Sequence, residues 1–208
     1  LYDKFFRTGF KKTTEQLGIV FTPVEVVDFI INSVDYALNK YFGKRLSSKN
    51  VHVLDPFTGT GTFITRTLQY LKRQMDGGEI TFEDILYKYN HELHANEIIL
   101  LSYYIASINI ESVFDEVNGP NHGYQPFEGI VLADTFESTE REGSFVDELL
   151  GENNERLKKQ QEKPITVIFG NPPYSAKQDN EDKNYSRAKY PKLDNSLKKT
   201  WIDTSSAI

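Results

Sequence analysis

The chain has 208 residues, 38% of them hydrophobic and 13% aromatic, with a formal net charge of −6. That length fits one domain with its own core, the absence of cysteine excludes disulfides and thiolate metal sites, and no apolar run nears the ~20 residues of a membrane span. The acidic balance argues mildly against extensive DNA contact, which basic surfaces make.

The chain opens Leu1-Tyr2-Asp3-Lys4, without the basic-then-apolar pattern of a signal peptide and without methionine. It reads as a piece of a longer, cytoplasmic protein. Residues 1–20 are polar, with aromatics at Phe5, Phe6 and Phe10, and read as a connector from a preceding region. Thr22-Pro23-Val24-Glu25 has the form of a capping box, with Thr22 at the N-cap and Pro23 at the first helical position. An amphipathic helix is expected from there to about Phe42, since Val26, Val27, Ile30, Ile31, Val34, Ala37 and Leu38 recur at helical spacing.

A short strand is expected over residues 51–54, followed by the tight loop Asp55-Pro56-Phe57-Thr58-Gly59-Thr60-Gly61-Thr62 and a helix over 63–75 that Gly77-Gly78 ends. Residues 82–86 are expected as a short helix, 87–93 as a second strand and 95–112 as a second amphipathic helix. Residues 113–127 read as loop, with Asn118-Gly119-Pro120 as a turn signal. Residues 129–132 are a third strand, 138–161 a charged helical or flexible excursion, and 165–169 a fourth strand. This alternation indicates a parallel α/β sheet. Four strands are few for such a sheet, which is therefore expected to be incomplete in this piece.

The fourth strand leads through Gly170 into Asn171-Pro172-Pro173-Tyr174. A strand that ends in a rigid loop places its side chains at the carboxyl edge of a sheet, where open α/β folds bind ligands. An asparagine amide oxygen and a backbone carbonyl can both accept hydrogen bonds from one planar NH2 group. Two prolines hold that carbonyl still, and Tyr174 offers a flat face to a flat substrate. From Arg156 to Lys199 there are 11 Lys/Arg against 5 Asp/Glu. This stretch is either a solvated segment or a phosphate-facing edge beside the loop.

Glycines in the loop after the first strand let a ligand approach the backbone, and the helix start offers N–H groups to an anion. No Gly-Lys-Ser/Thr ending and no Gly-x-Gly-x-x-Gly spacing is present, so phosphate-loop and dinucleotide readings are weak. A methionine carboxylate fits such a turn, and Asp55 could hold an α-ammonium group. His52, His91, His94 and His122 show no spacing with acids that suggests a metal site; His91 and His94 read as structural.

The Asn-Pro-Pro-Tyr loop resembles the catalytic motif of methyltransferases that act on exocyclic amino groups. Asp55-Pro56-Phe57-Thr58-Gly59-x-Gly61-Thr62-Phe63 looks like the cofactor loop (motif I) of amino-methylating DNA methyltransferases. Glu97 matches the acid that in this family holds the cofactor ribose, with Glu92 as its rival. Asp134, in Asp134-Thr135-Phe136, matches the acid on the cofactor adenine, and Phe21-Thr22-Pro23 matches motif X, which closes over the methionine end. This order resembles the gamma class of DNA adenine-N6 methyltransferases and, more closely, the methyltransferase domain of single-chain restriction–modification enzymes of the type ISP kind.

The resemblance covers roughly residues 15–200. It implies a Rossmann-like sheet with flanking helices over 21–208, S-adenosylmethionine as cofactor and no metal. It also implies double-stranded DNA as partner through a recognition domain outside this piece, with nuclease and ATPase domains on the same polypeptide. A flipped adenine would stack on Tyr174 and give its two N6–H bonds to Asn171 and the Pro172 carbonyl. Two features depart from the usual pattern: the 30-odd residues between Glu97 and Asp134, and again between Asp134 and Asn171, suggest insertions or a misassigned acid. A glutamine-N5 protein methyltransferase shares the catalytic loop but not the Pro-Phe of the cofactor loop. An inactive scaffold with this fold would not need both loops.

Overall fold

In a computed structural model, the structure describes residues 22–119, 123–136, 151–172 and 191–202. Four strands, β1 (His52–Asp55), β2 (Leu93–Glu97), β3 (Ile130–Leu132) and β4 (Ile165–Ile168), form one sheet in the order β3-β2-β1-β4. All its pairings are parallel. The chain runs outward from β1 to β2 and β3, then returns to pair β4 with the other side of β1. The winding therefore reverses between β1 and β4, and a crevice opens there beyond the carboxyl ends of the strands.

Helices α1 (Val24–Phe42), α2 (Thr62–Asp76), α3 (Phe82–His91), α4 (Leu100–Asn118) and α5 (Gly151–Gln161) flank the sheet, and α6 (Pro191–Leu197) follows it. One sheet face presents Val53, Leu93, Ala95, Ile130 and Val167 to Ile64, Leu68, Leu71, Ile110 and Phe114 of α2 and α4, and all of these are buried in one core. Burying each large aliphatic side chain is worth about 1.5–3 kcal/mol. Two polar ties seat α1 on α2: Arg66 Nε donates to Asp28 Oδ1 at 2.7 Å, and Tyr70 donates to Asp35 Oδ2 at 2.7 Å.

Several boundaries differ from the sequence reading. Pro23 is the N-cap of α1, its ψ of 139° is not helical, and no side chain caps the helix. The expected Thr22 capping box is therefore absent, and the Pro23 carbonyl instead accepts from Val26 and Val27 N–H. The second strand lies at Leu93–Glu97, not 87–93; residues 87–91 complete α3. A capping box between Thr81 and Asp84 starts that helix, and Lys88 is drawn into the interior by Glu92 and two carbonyls. These tertiary contacts override the weak strand propensity of Tyr87-Lys88-Tyr89.

The helix expected at 95 begins at Leu100, because Ala95 to Glu97 belong to β2. It then continues to Asn118 through residues expected as loop. The long spacing between Glu97 and Asp134 is thus the crossover helix that a parallel pair requires, and neither an insertion nor a misassigned acid is needed. The spacing from Asp134 to Asn171 likewise contains α5; residues 137–150 lie outside the described residues. No helix among the described residues is long and apolar enough to cross a membrane.

Candidate active site

Each strand of the sheet delivers one expected site residue to the carboxyl edge. Asp55 is the last residue of β1 and Glu97 the last of β2, Asp134 stands two residues past β3, and Asn171 three past β4. Asn171 is half-buried and Pro172 exposed. Phe21, Pro173 and Tyr174 lie outside the described residues.

The loop between β1 and α2 is tied down on all sides. Thr58 N donates to the Asn96 carbonyl at 2.9 Å, and Thr58 Oγ1 to the Asp55 carbonyl at 3.1 Å. Asn109 of α4 donates to the Thr60 carbonyl at 2.9 Å. Gly61 is the N-cap of α2 with φ 88°, and a Cβ there would meet Ile110 Cγ1 at 3.2 Å and the Ala106 carbonyl at 3.3 Å. Only glycine combines that backbone angle with so close an approach to α4. Thr62 then opens α2. Phe63 is 4% exposed and stacks on Phe169 with centroids 5.2 Å apart, so its ring fastens the loop helix to the end of β4.

Glu97 joins this loop directly. Its Oε2 accepts from Gly59 N at 2.7 Å and its Oε1 from Ile99 N at 2.8 Å. Burial pushes its carboxyl above the usual range, while those backbone N–H groups pull it down. The rival Glu92 sits at the opposite edge, where its Oε2 lies 2.5 Å from buried Lys88 and its Oε1 accepts from Asn50 N. It cannot serve the same crevice as Asp55 and Asn171.

Asp55 is completely buried. Its Oδ1 accepts from Phe57 N at 3.1 Å, and its Oδ2 has no partner among the described residues. Burial foremost, with the Glu97 charge adding, pushes its carboxyl up to about 7. Gly170 presses against it: a Cβ at Gly170 would lie 2.6 Å from Asp55 Oδ1 and 3.3 Å from Pro56 Cδ. The residue before Asn171 must therefore be glycine for the two loops to meet. The sequence reading gave Gly170 no role, although its place between a strand and Asn-Pro-Pro was the available signal.

Asp134 is half-buried, and its Oδ1 accepts from Phe136 N at 2.9 Å. Thr135 Oγ1 donates to the Pro56 carbonyl at 2.7 Å, and the Phe57 and Phe136 rings lie 5.3 Å apart. Among the described residues, Asp55, Glu97, Asp134 and Asn171 thus lie with the β1–α2 loop along one edge of the sheet. His52 and His94 are not among them: they stack at the other end of the sheet, Nδ1 to Nε2 3.0 Å, and the described residues hold no cluster of three metal-ligating side chains.

The chain as a whole has counterparts among known proteins. Residues 1–202 match the N-6 DNA methylase family. The chain belongs to that family. No curated protein matches it, but solved structures do. It is 69% identical to a type ISP restriction–modification enzyme, the ATP-dependent LlaBIII solved bound to DNA, with a TM-score of 0.88 over 100% of this chain and 14% of that one. To a nuclease-deletion mutant of the type ISP enzyme LlaGI, in complex with a DNA substrate mimic, it is 61% identical (TM-score 0.87, 99% of this chain and 16% of that one). To DrdV in a complex with DNA it is 41% identical (TM-score 0.80, 100% and 19%). This N-6 DNA methylase chain therefore spans less than one-fifth of the length of each of these proteins.

Proposed function

We propose that the chain is the methyltransferase part of a restriction–modification enzyme, and that its carboxyl edge transfers a methyl group from S-adenosylmethionine to N6 of an adenine in DNA. The observation that carries this reading is the contact of Gly170 with Asp55, which joins the loop that would hold a cofactor to the loop that would hold an amino group. DNA would reach the site through a recognition domain elsewhere on the polypeptide, alongside nuclease and ATPase domains, in the cytoplasm.

The residues fit such a cofactor. Gly59 has φ +57° and open space where a Cβ would project, so a ligand can lie against its backbone. The Oδ2 of Asp55, without a partner among the described residues, suits a cationic ligand group, since an unpaired buried acceptor is costly. Glu97 and Asp134 would take the ribose hydroxyls and the cofactor adenine. Thr22 and Pro23, carried on α1 against α2, would close the methionine end. When bound, the cofactor supplies an electrophilic methyl group.

A base inside a duplex cannot reach this crevice, so it must be flipped out at a cost of a few kcal/mol. Stacking on the Tyr174 face would return about 1–3 kcal/mol. The Asn171 amide oxygen and the Pro172 carbonyl accept the two N6–H bonds, which draws the nitrogen lone pair out of conjugation and turns it toward the crevice. Geometry supplies much of the rate.

The test is transfer of tritiated methyl groups to DNA by the full-length protein. Label should appear as N6-methyladenine, and Asn171→Ala should lower the rate by about 100-fold or more, since loss of positioning alone has effects of that size, while S-adenosylmethionine still binds. Label in protein instead of DNA, or full activity in the variant, overturns the reading.

A further inference from the structure

Asn96 is the fourth residue of β2, is 4% exposed, and was not singled out by its sequence. Its Nδ2 donates to Thr135 Oγ1 at 3.2 Å, and that hydroxyl donates onward to the Pro56 carbonyl at 2.7 Å. The Thr135 hydrogen is spent on Pro56, so only the amide NH2 of Asn96 can face the hydroxyl. Its Oδ1 is left buried without a partner among the described residues. Hydrogen bonds in series polarise one another. Asn96 also accepts Thr58 N on its backbone carbonyl, so one residue grips the β1 loop twice, once directly and once through Thr135.

We propose that Asn96 and Thr135 are positioning residues: their relay fixes the separation between the Pro56 loop and the Asp134 loop. This rests on the methyltransferase reading, in which those loops hold opposite ends of one cofactor. A ligand that spans both loops gains from their being held apart at the right distance beforehand, because less ordering is left to binding. A ligand that touches only one loop gains little. An apolar side chain at Asn96 would fill the same space without leaving a buried acceptor unpaired, so packing alone does not account for the amide.

The experiment is calorimetry on the full-length protein with two ligands, S-adenosylhomocysteine, which spans both loops, and adenosine, which reaches only the adenine and ribose contacts. Thr135→Val should weaken S-adenosylhomocysteine about tenfold and adenosine less than about twofold, a difference on the scale of one buried hydrogen bond. Thr135→Ser keeps the hydroxyl and should restore the parent affinity. Asn96→Leu should behave as Thr135→Val does, and the double variant should be no weaker than either single one, because both break the same relay. Unchanged S-adenosylhomocysteine binding in Thr135→Val, equal loss of both ligands, or a Thr135→Ser variant as weak as Thr135→Val overturns the proposal. If the parent binds neither ligand, the methyltransferase reading fails first and this inference falls with it.

Discussion

A glutamate stands at each end of β2, Glu92 immediately before the strand and Glu97 as its last residue, and both are nearly buried. At the amino edge Glu92 faces Lys88, whose ammonium also donates to the Ser48 and Val51 carbonyls at 2.6 and 2.7 Å. At the carboxyl edge no cation faces Glu97 in any described ion pair; backbone N–H groups hold it, and its neighbour Asp55 keeps one oxygen without a described partner. Buried charge is thus paired where the sheet only has to stay folded. Where the sheet would meet a ligand, it is held by backbone N–H groups and incompletely matched.

The largest effect should come from breaking the paired edge. Lys88→Met strands Glu92 and two carbonyls, and should cost about 3–5 kcal/mol in denaturant unfolding, the usual penalty for orphaning one member of a buried pair. Adding Glu92→Leu should recover most of that loss. A cost below about 1 kcal/mol for Lys88→Met would erase the contrast between the edges.

The unpaired edge should respond to pH with the opposite sign from an ordinary salt-bridged acid. The folded pKa of Asp55 is raised to about 7, so the folded state holds a proton that the unfolded state has released. Its contribution is therefore greatest at low pH and is lost as pH rises toward 7, by an amount on the order of 2–4 kcal/mol. His94 works against it: burial foremost, with the His52 charge adding, depresses its pKa to about 4, so its contribution is lost as pH falls. Comparing the parent with Asp55→Asn isolates the acid. Between pH 4.5 and 7.5 the parent should lose stability relative to the variant, and parallel curves would remove the buried acid from the account.

Much of this site was legible in the sequence because its markers are local. A short apolar strand followed by Asp-Pro-Phe-x-Gly-x-Gly, or by Gly-Asn-Pro-Pro, announces a strand end and a loop without help from the rest of the chain. Glu97 and Asp134 could be placed by their order after successive strands, even with the second strand set six residues too early. That strand was misplaced because Tyr87 and Tyr89 look like strand formers, whereas the Thr81 cap and the interior partners of Lys88 make the segment helical. The cap was itself readable; the partners were not. Gly170, Asn96 and Asn109 escaped for a common reason. Each acts through a residue distant in sequence, on Asp55, Pro56 or Thr60, and no local pattern encodes such contacts.

On the proposed function the two ends of one sheet divide the labour, with ligand binding confined to the carboxyl end. Amide hydrogen exchange of the full-length protein, with and without S-adenosylhomocysteine, tests this directly. Protection should concentrate at residues 55–63, 97–99, 134–136 and 170–172, and residues 48–52 and 88–94 should exchange as before. Protection at the amino edge, or none at the carboxyl edge under saturating ligand, would contradict it.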